Sequence, residues 1–360
     1  MILLSSIINE FEDRFFEKYK NEVLKSHKKA LWTMKRCRNE YAAQMRLKCT
    51  NEECSKYTYI PHSCGHRNCP HCQNHENQQW IENQLNKQLP AQYYLLTFTL
   101  PKQLRAIAWY HQKLIYSLLF SCVAEVLKTF VKNDKKLQGD AGFTMVLHTN
   151  SRELTYHPHI HVVIPGASIN KKTKTWKVKS TKYLFNHDNL AKVFRAKLLK
   201  EIVDAGLYVP KTCPKKWVVD CQNVGNGDKA LIYLGQYLYK GVIQEKDILK
   251  CENGKIIFRY INSKTKETVL KTVKGEDFLW LLMMHVLPKG FRKVRSYGFL
   301  HPCSKQLIKL LQYILNFRPV QMLKKTIKKA EIFCKCCGAK MKIIKTMLPG
   351  VWKTESLNYS

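Results

Sequence analysis

The sequence predicts an α+β fold in which helices pack on one side of an antiparallel sheet. One feature indicates this fold: short runs rich in β-branched and aromatic residues alternate with helical periodicities. Two further features indicate the regions around it, because paired cysteines precede the first such run and the chain beyond residue 304 is strongly basic. We therefore expect a helical arm with a small cysteine-rich domain over residues 1–90, a sheet domain over 91–245 and a basic C-terminal region over 246–360.

The N-terminal region combines a helix, predicted over residues 7–34, with cysteines at metal-ligand spacing. The pair Cys49 and Cys54 is followed, after fourteen intervening residues, by the pair Cys69 and Cys72. Each pair can deliver two thiolates from one tight turn, which is what a tetrahedral Zn²⁺ ion requires. Cys64 is an alternative to one of these four ligands, and three other nearby side chains can also substitute, namely Cys37, His66 and His71.

The sheet domain is predicted from strand and helix signals that follow one another along the chain. Strands are expected at residues 93–101, 142–148 and 216–221, and another, the third in chain order, lies within residues 156–166 and begins at Pro158, which has no backbone N–H to donate. Helices are expected at residues 102–132, 190–205 and 228–240. The last of these helices closes the predicted domain.

The third predicted strand carries histidines on one face. Side chains alternate along a strand, so His157, His159 and His161 project the same way, while Ile160 and Val162 project into the core. A single histidine on such a face is usually satisfied by backbone partners. The doublet His159 and His161 instead predicts half of a metal site.

The helix predicted over residues 228–240 carries two phenols on one face and ends at Gly241. Tyr233 and Tyr237 are four residues apart and share that face, whereas Tyr239 points away from it. Half-buried core aromatics would show the same spacing. Beside a pair of metal-binding histidines, however, these two tyrosines become candidate nucleophiles.

The charge balance predicts a polyanionic partner. Lys and Arg number 61 against 27 acidic residues, a net charge of +34, which favours nucleic acid over an acidic membrane surface. The sequence has no run of eighteen apolar residues and no convincing signal peptide, because its apolar start lacks a leading basic region. We therefore expect a cytoplasmic protein with no membrane partner. Its fourteen cysteines are then expected to be reduced, several of them as metal ligands.

The C-terminal region is predicted to contain a β-hairpin over residues 256–273 and an apolar helix over residues 275–286. Further on, the cysteines at positions 334, 336 and 337 look like half of a second zinc site. The other half is not evident from the spacing, and His301 and Cys303 are candidate partners for Cys334, Cys336 and Cys337.

These motifs together resemble the HUH endonucleases. His159-Ile160-His161 matches the His-hydrophobe-His signature of that family, and Tyr233 with Tyr237 matches its two-tyrosine branch. The cysteine-rich segment is similar to the zinc-binding domain of the rolling-circle insertion-sequence transposases, the IS91 family, and residues 285–298 are similar to the stretch that follows the tyrosines there. The likeness runs from about Cys37 to about Gly338 in the same order, so it covers most of the chain.

The resemblance implies a DNA transposase with an antiparallel-sheet HUH nuclease core. Such an enzyme nicks and rejoins single-stranded DNA at transposon ends and in target DNA through a 5′-phosphotyrosine intermediate. The implied nucleophiles are Tyr233 and Tyr237, and the implied ligands of a catalytic Mg²⁺ or Mn²⁺ are His159 and His161. The zinc is structural. The third ligand of the catalytic metal stays open between Gln236, Glu153 and His157.

A basic stretch after the tyrosines is the candidate DNA-binding segment, with Lys289, Arg292, Lys293 and Arg295 along the backbone and Phe291 and Tyr297 as candidates for base stacking. Two other functions account for part of these features. A rolling-circle replication initiator shares the histidines and tyrosines but usually lacks such a zinc domain. A non-catalytic zinc protein that binds nucleic acid explains the charge and cysteines alone. A metalloprotease is disfavoured because the chain has no His-Glu-x-x-His helix.

Overall fold

The computed structural model describes residues 2–39, 41–72, 74–170, 173, 175–239, 241–262, 265–319 and 331–347. Within these ranges, the side chains at positions 74, 75, 237 and 239 lie outside the description. The helices are α1 (Leu4–Lys18), α2 (Lys25–Lys35), α3 (Asn74–Leu85), α4 (Arg105–Tyr110), α5 (Gln112–Asn133), α6 (His187–Asp204), α7 (Asp228–Tyr239), α8 (Gly275–Met283) and α9 (Lys305–Ile314). The strands are β1 (Gln44–Cys49), β2 (Tyr57–Pro61), β3 (Tyr93–Thr99), β4 (Asp140–Ala141), β5 (Phe143–Asn150), β6 (Tyr156–Pro165), β7 (Ala167–Asn170), β8 (Thr175–Val178), β9 (Val219–Asn223), β10 (Ile248–Glu252), β11 (Lys255–Ile261), β12 (Thr268–Lys274), β13 (Val294–Tyr297) and β14 (Met341–Met347).

A five-stranded antiparallel sheet forms the centre of the protein, in the order β13-β5-β6-β3-β9. The histidine strand β6 is the middle strand, as the family resemblance implied, and the α+β class is confirmed. The expectation that this strand begins at Pro158 was wrong, because pairing with β5 already includes Tyr156. The register places Thr97 of β3 opposite His161 and places His148 of β5 opposite His159. Side chains directly opposite each other share a face, so these four side chains lie together.

Helices cover both faces of this sheet, so the expectation of helices on one side was wrong. On one face, Ile160 and Val162 of β6 pack in a core with residues of α5 and α6. On the other face, Val163 of β6 and Val146 of β5 pack with residues of α3 and α7. The second face is also the one that carries His159 and His161, because side chains of a strand alternate. The tyrosine helix α7 therefore covers the histidine side.

The helix predicted over residues 102–132 is divided at His111 into α4 and α5. Among the described helices, α5 alone is long and apolar enough to cross a membrane, judged by length and composition. A core helix of a globular protein passes the same test. Here Ile115, Leu119 and Val123 of α5 are buried in the core of the central sheet.

The two ends of the chain pack together. The predicted helix over residues 7–34 is two helices, and α1 places Phe11 and Phe15 in one core with Phe258 and Phe278 from the C-terminal region. Gly275 at the start of α8 permits this packing, because a Cβ there would come within 2.2 Å of the Phe11 ring. The predicted hairpin is present as β11 and β12, and β10 pairs with β11 as a third strand of this sheet. Strand β14 pairs with β1 in a separate sheet, β14-β1-β2.

Candidate active site

Three histidines form a cluster in the middle of the sheet. His148 of β5 joins His159 and His161 of β6, and the ring centroids lie 4.4 Å (148 to 161), 4.8 Å (159 to 161) and 5.3 Å (148 to 159) apart. One ligand nitrogen from each residue lies within 4.8 Å of the others, a separation that suits a shared metal ion. All three side chains are buried.

Hydrogen bonds fix the orientation of two of these rings. The Nδ1 atom of His159 lies 2.6 Å from the carbonyl oxygen of His157 and donates to it. The Nδ1 atom of His161 lies 3.0 Å from the hydroxyl of Thr97. Because the Nδ1 atom of His159 donates, its Nε2 atom is the nitrogen that presents a lone pair, as is usual for metal-ligating histidines. His161 presents its Nε2 lone pair in the same way when its Nδ1 atom donates to the Thr97 hydroxyl.

Burial keeps the three imidazoles neutral. It lowers the pKa of His159 to about 4 and the pKa of His161 to about 3, and it holds the pKa of His148 well below the ordinary value. Near pH 7 the rings therefore carry no proton that would compete with a metal. A set of three neutral imidazoles fits a divalent transition-metal ion better than it fits Mg²⁺, which prefers oxygen ligands.

The third member of this cluster is His148, which the sequence analysis did not consider. Glu153 is exposed, and its backbone oxygen accepts from Lys271. The His157 ring is engaged with the Arg105 guanidinium. Gln236 is exposed on the helix surface. The signal that could have found His148 is the antiparallel register, which places it directly opposite His159.

The structure brings Tyr233 to the histidines. Its ring centroid lies 6.2 Å from that of His161, and the two rings meet edge to face. Helix α7 is held there by Leu231 and Leu234, which pack against the sheet in the same core as Val163. Tyr237 lies one helical turn further along α7, and its side chain is outside the described part of the structure.

A cavity of about 570 Å³ opens beside Tyr233. Its lining includes Gln236, Arg259 and Lys293. Lys293 is half-buried, and desolvation together with nearby Arg67 lowers its pKa to about 8. Its charge also contributes to lowering the pKa of two of the histidines, which places a cationic group close to the cluster.

The other members of the predicted DNA-binding segment are placed differently from one another. Lys289 and Arg292 are exposed, as expected for backbone contacts. The guanidinium of Arg295 instead lies 4.3 Å from the ring centroid of Phe120 and 5.5 Å from that of Phe291, so it packs on aromatic side chains. Phe291 is buried in the core, and it is therefore unsuited to stack on a base.

The cysteines predicted to share one zinc ion lie in two clusters. Cys69 and Cys72 join Cys37 and Cys64, whereas Cys49 and Cys54 join two residues from the far end of the chain, Cys334 and Cys337. The sequence analysis named Cys37 and Cys64 only as substitutes, and it sought partners for Cys334 and Cys337 at His301 and Cys303. The spacing of two cysteines in one tight turn, a zinc knuckle, identifies each pair, but it cannot reveal which pairs meet in the folded chain.

The first cluster lies beside the tyrosine helix. Its sulfur atoms are 3.5 to 3.7 Å apart in three pairs, and the loop between the cysteines contacts the sheet domain. The Arg67 side chain donates to the carbonyl of Phe291, and that of Asn68 donates to the carbonyl of His285. At Gly241, just after α7, a Cβ would come within 2.6 Å of the Asn68 carbonyl oxygen. The turn that carries Cys69 and Cys72 therefore packs against the C-terminal end of α7.

Comparison with known proteins identifies the class of protein and then its family. Residues 142–307 match a family model described as a putative transposase, and residues 7–100 match a transposase zinc-binding domain. The chain is 30% identical over 273 residues to the putative transposase y4qJ of Sinorhizobium fredii, covering 69% of this chain and 68% of that protein. It is 27% identical over 327 residues to the transposase for insertion sequence element IS801 of Pseudomonas savastanoi pv. phaseolicola, covering 81% and 77%. The chain belongs to the IS91-type family of insertion-sequence transposases, with an N-terminal zinc-binding domain before the transposase domain.

Partial similarity also extends to solved structures of the conjugative relaxase TrwC. One, in complex with mutant OriT DNA, is 20% identical and covers 34% of this chain and 48% of its own, with a TM-score of 0.29. Another, complexed with a 27-mer DNA comprising the recognition hairpin and the cleavage site, is 13% identical and covers 63% and 75%, with a TM-score of 0.27. The chain thus spans about half the length of the first of these relaxase chains.

Proposed function

We propose that this transposase nicks and rejoins single-stranded DNA at transposon ends through a 5′-phosphotyrosine intermediate. One observation carries the proposal: the ring of Tyr233 lies 6.2 Å from the ring of His161, beside a cluster of three buried histidines. A nucleophile next to a metal-ligand set is the arrangement that phosphodiester cleavage requires. The basic charge of the chain suits a DNA substrate.

In the proposed reaction, the phenolic oxygen of Tyr233 forms a bond to phosphorus and the bond from phosphorus to the 3′ oxygen breaks. The phenol loses its proton, and the departing 3′ oxygen gains one. We assign His148, His159 and His161 as ligands of a divalent ion, with Mn²⁺ favoured over Mg²⁺ by the imidazole set. When bound, that ion supplies positive charge to the phosphate oxygens. Rejoining reverses these bond changes, because the phosphotyrosine link retains a reactive phosphorus.

The remaining assignments complete the proposal. Tyr237, one turn along α7, would capture a second strand at the end of the element or in target DNA. Residues 91–245 would provide the catalytic domain, and residues 1–90 with 246–360 would support it. In the zinc-binding domain, we assign Cys37, Cys64, Cys69 and Cys72 as the ligands of one structural Zn²⁺. Lys289 and Arg292 would contact the DNA backbone. We place the protein in the cytoplasm, where its thiols stay reduced.

An experiment with two labels tests the proposal. The protein is incubated with Mn²⁺ and a single-stranded oligonucleotide that spans an end of the element, labelled at its 5′ terminus or at its 3′ terminus. A 5′-phosphotyrosine link predicts that only the 3′ label migrates with the protein in denaturant, while the 5′ label appears in a shorter free strand. The reverse pattern would contradict the polarity of the link. If both labels appeared on shortened strands that are free of protein, the covalent intermediate would be contradicted.

Replacing Lys293 by methionine should slow the reaction at saturating DNA. Lys293 and Tyr233 line the same cavity, so this cation is a candidate to stabilise negative charge on the phosphate, and removing one such group commonly costs roughly 10²-fold in rate. The measurement is the single-turnover rate of adduct formation. Lys289→Met is the matched control, because Lys289 is exposed and its loss should weaken DNA binding without changing the saturated rate. Equal saturated rates for Lys293→Met and the wild type would remove Lys293 from the site.

A further inference from the structure

We propose a second structural zinc site that joins the two ends of the chain, with Cys49, Cys54, Cys334 and Cys337 as its four ligands. The matched zinc-binding domain ends at residue 100, so it does not include half of these residues. All fourteen cysteines of the chain are free thiols. The four sulfur atoms lie within 4.8 Å of one another and form no disulfide.

The distances between the sulfur atoms suit a tetrahedral ion. Cys49 and Cys337 are 3.4 Å apart, and Cys54 and Cys334 are 3.8 Å apart. Four thiolates at the usual distance from Zn²⁺ lie about 3.8 Å from one another. The observed separations are therefore those of a thiolate cage, whereas a disulfide would bring two sulfur atoms to about 2.0 Å.

Each half of the cluster lies in its own tight turn. In the first turn, the backbone nitrogen of Cys49 donates to Lys56 and that of Cys54 donates to Asn51. In the second turn, the backbone nitrogen of Cys334 donates to Ala339, and Gly338 has a φ of +70°, which closes the turn without strain. Both turns thus present two thiolates toward one point, as zinc knuckles do.

The packing around the cluster shows why β14 needs this ion. Among the residues that the structure describes, three buried cysteines, with Ala339 and Met341 beside them, make up a small local core. On β14 itself, Ile343 is 51% exposed and Ile344 is 49% exposed. So little buried apolar surface cannot hold a strand against β1, and small modules of this kind are commonly stabilised by a metal. The zinc would therefore attach the C-terminal strand to the N-terminal sheet.

Metal analysis of the purified full-length chain tests this site. The protein is prepared with His159→Ala and His161→Ala, so that the histidine cluster does not hold zinc, and zinc is counted by mass spectrometry. We expect two zinc ions per chain. Adding Cys334→Ser and Cys337→Ser should reduce the count to one, while Cys336→Ser, which changes an exposed thiol in the same turn, should leave two.

A zinc count that is the same before and after the double serine replacement would overturn the site, because every zinc ion would then belong to other ligands. A background count of two needs no cysteine variant, so it supports the site even if a serine variant misfolds. Zinc content is independent of DNA cleavage. A failure of this proposal therefore leaves the proposed cleavage reaction untouched, and a failure of that reaction does not affect the zinc count.

We infer separately that one face of the β14-β1-β2 sheet binds the phosphate backbone of DNA, an inference that rests on the proposed DNA substrate. The register places Lys345 and Tyr59 on either side of Arg46, and Lys342 and Tyr57 on either side of Lys48. A bulge in β14 at Ile344, between Ile343 and Lys345, keeps Lys342 and Lys345 on this face. The face therefore presents four cations and two tyrosines.

The electrostatics of this face favour a polyanion. Like charges directly opposite each other on neighbouring strands are destabilising, and none of the residues in the three strands is acidic. Lys48, Lys342 and Lys345 are exposed, and the Arg46 guanidinium lies 4.3 Å from the ring centroid of Tyr57. Clustered cations interleaved with exposed aromatic rings are typical of surfaces that follow a nucleic-acid backbone.

Salt-dependent binding tests this surface. Lys342→Ala with Lys345→Ala, both in a background with Tyr233→Phe and Tyr237→Phe that prevents covalent capture, should weaken DNA binding about tenfold and lower the slope of log affinity against log salt by about 2. Anisotropy with single-stranded DNA and with duplex DNA shows which form uses the face. Lys305→Ala with Lys309→Ala, exposed lysines on α9, should leave the slope unchanged. Unchanged affinity and slope for both DNA forms in the Lys342/Lys345 variant would overturn the inference.

Discussion

Phenylalanine at both Tyr233 and Tyr237 should abolish the covalent protein–DNA adduct while DNA binding persists. The phenolic oxygen is the atom that joins phosphorus in the proposed reaction, and phenylalanine removes it with little change in volume. A loss of roughly 10³-fold or more is expected, because a missing nucleophile is not replaced by binding interactions. The measurement is the yield of adduct that survives denaturant, with affinity followed by anisotropy on the same oligonucleotide.

The single variants separate the two phenols. Since Tyr233 lies 6.2 Å from His161, ring to ring, Tyr233→Phe should remove most of the first cleavage event. Tyr237→Phe should leave first cleavage largely intact and should reduce the joining of a second strand. Tyr239→Phe is the control, because it makes the same chemical change on the same helix at a position two residues beyond Tyr237. Full adduct yield in the Tyr233/Tyr237 double variant would show that another residue is the nucleophile.

The sequence predicted those parts of the site that depend on local periodicity. Alternation along β6 places His159 and His161 on one face, and helical spacing on α7 places Tyr233 toward that face. Both patterns are set within about ten residues of chain, and tertiary packing preserves them. The central position of β6 in the sheet was implied by the family resemblance and not by any local pattern.

The parts that escaped prediction depend on contacts between distant segments. His148 joins the cluster through the register between β5 and β6, and Cys49 meets Cys337 across almost the whole chain. Burial was equally hidden: Phe291 belongs to the core, and Lys293 lines the cavity. Spacing alone identifies a ligand pair or a basic stretch, but only the packed chain determines its partners and its exposure.

Replacement of the metal ligands is expected to have the second large effect. The loss of activity should be larger when a ligand is removed than when only its hydrogen-bond partner is removed. His161→Ala removes a ligand, so adduct formation should fall by roughly 10²-fold or more and added Mn²⁺ should not restore it. Thr97→Val removes only the hydroxyl that lies 3.0 Å from Nδ1 of His161. Such outer hydrogen bonds are commonly worth roughly 10- to 100-fold in metal affinity, so excess Mn²⁺ should restore the Thr97→Val enzyme.

Comparing His148→Ala with Gln236→Ala then decides the third ligand. His148 has a ligand nitrogen within 4.8 Å of those of His159 and His161, whereas Gln236 is an exposed residue of α7 that lines the cavity. Calorimetric titration of chelator-treated protein with Mn²⁺ should show weak Mn²⁺ binding for His148→Ala and nearly wild-type Mn²⁺ binding for Gln236→Ala. The opposite ranking would return the third position to the glutamine, and the three-imidazole argument for Mn²⁺ over Mg²⁺ would then fail with it, because an amide oxygen is a ligand that Mg²⁺ accepts.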